Sequence, residues 1–257
     1  MVDISKHTKS SKTRTYNLVK IFLRSLSIQS SRNFSNMQNI AFVFSLLPIV
    51  EKSGRNKKQI AGFLTRHLEL FSTHPYLSGP VIGSVVKLEE HVRESGNCTE
   101  AVNLKKALMA PYAAIGDPFF GGALRPSTAI IGVIMAIKGF ILAPFVFLVI
   151  YNPLHLWVRL KGFIEGYKDG RGAVDFIRIL NLPERSGNIR WISVILLGFL
   201  AGAVLPVPSL PYISNLEILG KLIILVIILL CFWMIKKGIS PILILYGSSI
   251  LFLVISL

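Results

Sequence analysis

The chain has 257 residues, of which 52% are apolar and 16% are charged, and its mean hydropathy is +0.60. About 25% of the residues in an average soluble domain are charged, so this composition excludes a disordered chain and argues against an ordinary soluble protein. The net charge is +15, and the positively charged residues lie between the apolar runs, as in the cytoplasmic loops of membrane proteins. This distribution does not indicate nucleic-acid binding. The composition therefore predicts an all-α, polytopic integral membrane protein in a lipid bilayer.

The first hundred residues begin with a basic segment and contain one short apolar run. Residues 1–20 have a basic excess without apolar periodicity and are predicted to form a cytoplasmic tail. Residues 21–50 are predicted to be helical, and their apolar run from Ile40 to Val50 is too short to cross a hydrocarbon core of about 30 Å. We expect this run to be re-entrant or packed inside the protein, unless the helix extends back through Arg32.

The segment 108–126 combines three prolines and three glycines with mostly apolar residues. Irregular backbone at membrane depth needs surrounding protein or a wet cavity to satisfy its polar groups, and in transporters such segments mark the substrate site. The sequence therefore predicts broken or re-entrant helices in a transporter core, and a helix is expected to begin or end at Gly116-Asp117-Pro118.

The second half of the chain alternates between apolar runs and basic segments. Lys138-Gly139 interrupts the apolar run 127–151 and predicts a turn between two helices. Residues 159–190 carry seven Lys/Arg and four acids and are predicted to form a cytoplasmic loop. Three helices are predicted at 191–206, 218–235 and 239–257, with an external linker at 207–217, an internal turn at Lys236-Lys237-Gly238 and an external C-terminus.

Asp117 is the only acidic residue between positions 101 and 164. An ionisable side chain inside a membrane segment is costly and therefore a functional candidate. The structural alternative is that Asp117 caps a half-helix or pairs with Arg125, and the sequence leaves both interpretations open. Arg125, directly before Pro126, is assigned a structural role, including pairing with Asp117.

Three glycine pairs have the G-x-x-x-G spacing that permits close contact between membrane helices: Gly79/Gly83, Gly162/Gly166 and Gly198/Gly202. The histidines have no metal-ligand spacing, the two cysteines make no disulfide framework, and no catalytic or nucleotide-binding motif is present. The sequence therefore predicts no catalytic residue, no metal site and no cofactor.

Three ordered blocks carry a family signal. They are Phe22–Pro48, Arg66–Glu90 and Leu108–Pro126, followed by Tyr151-Asn152, Gly166-Tyr167 and the block from Cys231 to Pro241. From about residue 20 to the C-terminus, the chain resembles the IID membrane subunit of the mannose/fructose/sorbose family of the bacterial phosphotransferase system. The tail 1–20 then precedes a IID membrane domain at 21–257, divided into a substrate core (21–158), a cytoplasmic basic loop (159–190) and C-terminal helices (191–257).

This resemblance implies a transport subunit without enzymatic activity of its own. With a IIC subunit it would form the path for a hexose-type sugar across the bacterial inner membrane, as a multi-pass protein in trimers of IIC–IID pairs. Cytoplasmic IIA and IIB subunits would relay phosphate to the sugar, and the IID subunit would carry no phosphohistidine.

The resemblance also implies polar sugar contacts from Asp117, Asn33, Gln38 and His74, with Asp117 the foremost candidate. Arg32 and Gly121 stand where the family usually has tryptophan. An alternative hypothesis is a non-transporting membrane scaffold that keeps the fold and docks phosphotransferase proteins for regulation. The two missing tryptophans favour the scaffold, whereas the intact Gly116-Asp117-Pro118 motif opposes it.

Overall fold

The computed structural model describes residues 15–51, 56–95, 99–170, 172–204 and 214–256. Within these ranges the chain is helical and contains no strand, which confirms the prediction of an all-α fold. Most of the predicted tail and of the predicted 207–217 linker lie outside the described residues. The helices are α1 (Thr15–Ser25), α2 (Asn39–Glu51), α3 (Lys57–His67), α4 (Ser78–Ser95), α5 (Thr99–Gly116), α6 (Arg125–Ile137), α7 (Ala143–Asp169), α8 (Gly172–Leu180), α9 (Leu182–Val204), α10 (Ser214–Lys236) and α11 (Pro241–Ser256).

The chain divides into two compact units within α9, one ending at Leu196 and the other beginning at Leu197. The second unit contains the end of α9 together with α10 and α11. Gly238, with a φ of +86°, lies in the turn between α10 and α11, as the Lys236-Lys237-Gly238 sequence predicts. The first unit contains the hydrophobic core, which is built around fully buried aromatic side chains such as Phe42, Phe71 and Phe120.

Residues 26–38 separate α1 from α2, so the prediction of one helix over 21–50 is wrong. Met37 has a φ of +55°, a left-handed conformation that cannot continue an α-helix. Its backbone pairs with Asn33, and the next N–H, that of Gln38, donates to the carbonyl of Phe71 at 2.8 Å. A long-range backbone contact thus replaces the local helical hydrogen bonds.

Helix α2 is thirteen residues long and fully buries Phe42 and Leu46. It is a packed helix shorter than a membrane span, as its short apolar run predicts.

Helices α4 and α7 form the most extensive helix contact of the first unit, and two of the predicted glycine pairs lie in it. A Cβ atom placed on Gly83 would stand 2.2 Å from the carbonyl oxygen of Phe163. A Cβ on Gly166 would stand 2.5 Å from the carbonyl oxygen of Pro80. Since neither position has room for a methyl group, the two backbones touch directly, as small residues allow in membrane helices.

Two helical runs of the described chain are long and apolar enough to cross a membrane. One runs for 39 residues from Thr99 to Ile137 and includes α5 and α6, and the other is α7, with 27 residues. The predicted turn at Lys138-Gly139 joins them, and Gly139 has a φ of +82° there. This confirms the predicted helical hairpin.

The segment 159–190, predicted to be a loop, consists mostly of the end of α7, α8 and the start of α9, with breaks at Gly170 and Asn181. Glu165 pairs with Lys161 at 3.0 Å and with Lys168 at 3.1 Å, at spacings that stabilise a helix surface. The prediction used charge, which bears on the side of the membrane and not on the backbone conformation. The cytoplasmic location of this segment stays a prediction.

Candidate functional site

A cavity of about 250 Å³ opens among the regions that contain most of the candidate residues. Its walls come from the stretch between α1 and α2, the stretch before α4, the α5–α6 run and α7. The lining residues are Gln29, Arg32, Gln38, Ser72, Thr73, His74, Pro75, Tyr76, Ala113, Asp117, Gly121, Arg125 and Tyr151. The cavity thus brings together Gln38, His74, Asp117 and Arg125, whereas Asn33 is not among its lining residues.

Between α5 and α6, residues Asp117–Leu124 form a π-helical segment. Pro118 has no N–H, and its ring would collide with a carbonyl of the preceding turn of a regular α-helix, which the wider π-helical turn relieves. The hydroxyl of Ser186 donates to the carbonyl of Pro118 at 3.1 Å. This π-helical segment is the break in the α-helix that is expected within residues 108–126. The α-helix α5 ends at Gly116, as expected, but Gly116 keeps helical backbone angles and the chain continues directly into the π-helical segment, so Asp117 does not lie at a free half-helix end.

The Asp117 side chain is exposed to the cavity. In the described part of the chain it forms no hydrogen bond and no ion pair, including none with Arg125. Among the described residues the structure thus shows neither the Asp117–Arg125 pair nor the helix cap, the two structural alternatives that the sequence leaves open. Asp117 is left as an acceptor that faces the cavity without a protein partner.

His74 is held in place from three sides. Its Nδ1 accepts a hydrogen bond from the backbone N–H of Tyr76 at 3.3 Å, and its ring stacks on Phe120 with centroids 5.1 Å apart. A Cβ on Gly116 would stand 2.4 Å from the His74 Cβ, so only glycine lets the imidazole approach this closely. Because Nδ1 is the acceptor, the neutral imidazole carries its proton on Nε2, which is a donor.

Both polar atoms of the Gln38 side chain form hydrogen bonds with the backbone of Thr73. Its Nε2 donates to the Thr73 carbonyl at 3.1 Å, and its Oε1 accepts from the Thr73 N–H at 3.3 Å. The buried amide of Gln38 thus positions the stretch that precedes α4, although it also lines the cavity.

Thr73 is a cavity residue that sequence reasoning did not single out. Its side chain is buried, and its hydroxyl has no hydrogen-bond partner within the described ranges. Buried hydroxyls are nearly always hydrogen-bonded, so this one is available to a water molecule or to a ligand in the cavity. The only sequence signal was its place in the family block Arg66–Glu90.

Asn33 has a different setting. Its Nδ2 donates to the side-chain oxygen of Asn39 at 2.9 Å, and its Oδ1 accepts from the N–H of Asn36 at 2.7 Å. These bonds hold the turn that leads into α2. Arg32, the preceding residue, does line the cavity, as does Gly121.

A buried charged cluster lies outside the cavity lining. Arg66 donates to both carboxylate oxygens of Glu89, at 3.0 and 2.7 Å, and His67 Nε2 lies 2.8 Å from Glu89. Burial acts to raise the pKa of the Glu89 carboxyl, but the hydrogen bonds from His67 and Arg66 prevail and lower it to about 2. Lys105, also buried, points its Nζ at the carbonyls that end α3. The cluster joins α3, α4 and α5.

Comparison with known proteins gives a consistent family. The IID component of the mannose/fructose/sorbose family of the PTS system matches residues 12–257. The chain is 27% identical to the mannose-specific EIID component of Escherichia coli (strain K12) over 274 residues, which cover 98% of this chain and 96% of that protein. It is 36% identical to the sorbose-specific EIID component of Klebsiella pneumoniae over 160 residues, or 61% of this chain and 58% of that protein.

Solved structures agree with this family. One, described as a membrane protein, matches with a TM-score of 0.76 at 27% identity and covers 95% of this chain and 96% of its own. A second, from the complex of the mannose transporter ManYZ with microcin E492, matches with a TM-score of 0.58 at 26% identity and the same coverage. These findings confirm the family that the three sequence blocks predict, and the integral membrane class. The chain therefore belongs to the IID components of the mannose/fructose/sorbose family, the membrane subunits of sugar permeases of the phosphotransferase system.

Proposed function

We propose that the cavity is the sugar-binding part of the translocation path that this chain forms with a IIC subunit. The observation that carries the proposal is a set of hydrogen-bonding groups on one cavity that have no partner among the described residues: the carboxylate of Asp117, the Nε2–H of His74 and the hydroxyl of Thr73. A sugar hydroxyl both donates and accepts, so it matches a carboxylate acceptor, an imidazole donor and a hydroxyl. At about 250 Å³ the cavity is smaller than typical drug-binding pockets, which suits a single hexose-type sugar.

The roles of the candidate residues follow from their contacts. Asp117 and His74 bind the sugar directly, and Gln38 positions Thr73 for the same purpose. Asn33 acts at a distance, through the turn that places Arg32 and Gln38. Arg125 stays a cavity residue without an ion-pair partner among the described side chains.

The subunit supplies binding and passage, not phosphate chemistry. Cytoplasmic IIA and IIB subunits phosphorylate the sugar as it is released, and trimers of IIC–IID pairs are the working assembly. The chain lies in the bacterial inner membrane as a multi-pass protein, with residues 159–190 in the cytoplasm. Large exposed apolar side chains around the α6–α7 turn, such as Phe140, Ile141 and Phe145, support a surface that meets lipid or the IIC subunit.

A second candidate function is a regulatory scaffold that docks phosphotransferase proteins without transport. It is favoured by one observation: Arg32 and Gly121, the positions where the family usually has tryptophan, both line the cavity. The polar groups of Asp117, His74 and Thr73 on the same cavity favour transport, because docking of proteins on a surface does not require a polar cavity of this size.

Substitution of Asp117 tests the choice between these functions. Asp117→Asn replaces a charged acceptor by a neutral one of equal size, and hydrogen bonds to charged groups are roughly twice as strong as neutral ones. We expect sugar uptake to fall by about tenfold or more while the complex with IIC still assembles. The matched control is Asp175→Asn, which removes an exposed acid outside the cavity lining and should leave uptake unchanged. Unchanged uptake in Asp117→Asn would remove Asp117 from the sugar site, and no uptake of any sugar by the unmodified complex would favour the scaffold.

A further inference from the structure

Two arginines open onto the cavity without an acidic partner. Arg32 and Arg125 are both exposed, and neither side chain forms an ion pair with another described residue, although Arg125 hydrogen-bonds the hydroxyl of Tyr151. By contrast, Arg66 bonds Glu89 and Arg24 pairs with Glu51, so these two guanidinium groups are neutralised within the chain.

The charges of the cavity do not balance. Asp117 is the single carboxylate among the lining residues, and the lining side chains other than Arg32 and Arg125 are uncharged when His74 is neutral. The cavity thus has an excess of one positive charge. Guanidinium groups bind planar or tetrahedral anions with two parallel hydrogen bonds, a geometry that a neutral hydroxyl does not use.

The cavity also has free space beside these charges. No heavy atom lies within 4 Å of the point where a Cβ on Gly121 would stand. A ligand has room there for a group that projects from a sugar ring. The total volume of about 250 Å³ still limits the ligand to a single sugar unit with a small substituent.

We propose that this permease takes a monosaccharide that carries an anionic group, a carboxylate or a sulfate, and that Arg32 binds this group. This inference rests on the proposed function of the cavity as a sugar site. Asp117 and Arg32 come from different parts of the chain, the π-helical segment and the stretch between α1 and α2. The carboxylate of Asp117 repels the anionic group and accepts bonds from hydroxyls, so the two residues orient the sugar by its charge.

The test is equilibrium binding of labelled sugars to the purified complex of this chain with its IIC subunit. The three probes are a hexuronic acid, a sulfated hexose and the corresponding neutral hexose. We expect one of the anionic sugars to bind about tenfold tighter than the neutral hexose, and the one that does identifies the group as carboxylate or sulfate. Higher salt should reduce this preference because the contact is a charge pair open to solvent.

Variants at two arginines separate the contact from general charge effects. Arg32→Gln is expected to abolish the preference for the anionic sugar with little change for the neutral one, and Arg32→Lys to keep part of it. Arg178→Gln removes the same charge from an exposed position on α8 outside the cavity lining and should change neither affinity. If the neutral hexose binds as tightly as the anionic sugars, or if Arg32→Gln leaves the preference intact, this inference is overturned and the sugar site still stands. Failure to bind all three probes would overturn the sugar site as well.

Discussion

Gly83→Ala is the sharpest test of the α4–α7 contact. The added methyl carbon would stand 2.2 Å from the carbonyl oxygen of Phe163, whereas ordinary van der Waals contact begins at 3.4 Å. The obstacle is backbone, which cannot rotate away as a side chain does. The two helices must therefore separate by about 1 Å at this point, in the most extensive helix contact of the first unit.

Two opposing effects decide the sign of this substitution. Alanine is favoured over glycine in a helix by about 1 kcal/mol. Overpacking of a close contact typically costs about 1–3 kcal/mol, and the upper end applies when rigid groups are pushed apart. We therefore expect a net destabilisation of about 1–2 kcal/mol.

The measurement is thermal unfolding of the detergent-solubilised complex with IIC. The fraction of the complex that stays monodisperse is recorded at each temperature. Gly198→Ala is the matched control, because it changes the same residue type within a helix at a position with no heavy atom within 4 Å. Gly83→Ala should unfold at a lower temperature, and Gly198→Ala at the original temperature or above. An unchanged or higher unfolding temperature for Gly83→Ala would refute the direct backbone contact.

Three further predictions concern the buried cluster, the topology and the assembly. Glu89→Gln leaves the cationic side chains around it unbalanced and should cost about 3–5 kcal/mol near neutral pH. The pKa of the Glu89 carboxyl is lowered from 4.5 to about 2, so its contribution to stability is full above pH 4.5 and is lost as the pH falls toward 2. The free energies of unfolding of variant and wild type should therefore converge near pH 2. Curves that stay parallel over this range would contradict the role of Glu89. In a chain whose Cys98 and Cys231 are replaced by serine, Arg178→Cys should resist an impermeant thiol reagent in intact cells, and labelling from outside would disprove a cytoplasmic 159–190 segment. Expressed without IIC, the chain should fail to purify as a monodisperse monomer, and recovery of a stable monomer would contradict dependence on the partner.

Local sequence chemistry predicts the turns and the close helix contact of this fold. A glycine with positive φ ends the helix before it at both Gly139 and Gly238, and glycine at these positions is visible in the sequence. The pairing of Gly83 and Gly166 with opposing backbone follows from their spacing, although the sequence does not say which helices meet. In contrast, the non-helical backbone directly before α2, at Met37 and Gln38, is held by a backbone contact with Phe71, which no local pattern encodes.

The candidate site likewise contains residues that the sequence identifies and contacts that only tertiary packing creates. The cost of an ionisable group within a membrane segment marks Asp117 from the sequence alone, but several of its neighbours in the cavity are far away along the chain. Gln38 and His74 entered through family resemblance, which carries no information on what their side chains touch. That Gln38 is occupied by the backbone of Thr73, and that the Thr73 hydroxyl has no partner in the described chain, depends on tertiary packing.

The π-helical segment has a geometric consequence for the cavity wall. Ala113, Asp117, Gly121 and Arg125 line the cavity at intervals of four residues. In a regular α-helix of 3.6 residues per turn, each interval of four overshoots a full turn by about 40°, so the last of these residues would lie about 120° around the axis from the first. A π-helical turn contains more residues, and the passage through Asp117–Leu124 therefore reverses part of this drift. The locally underwound helix therefore keeps all four positions on the side that faces the cavity. A substitution at any of them changes the surface that a ligand in this cavity contacts.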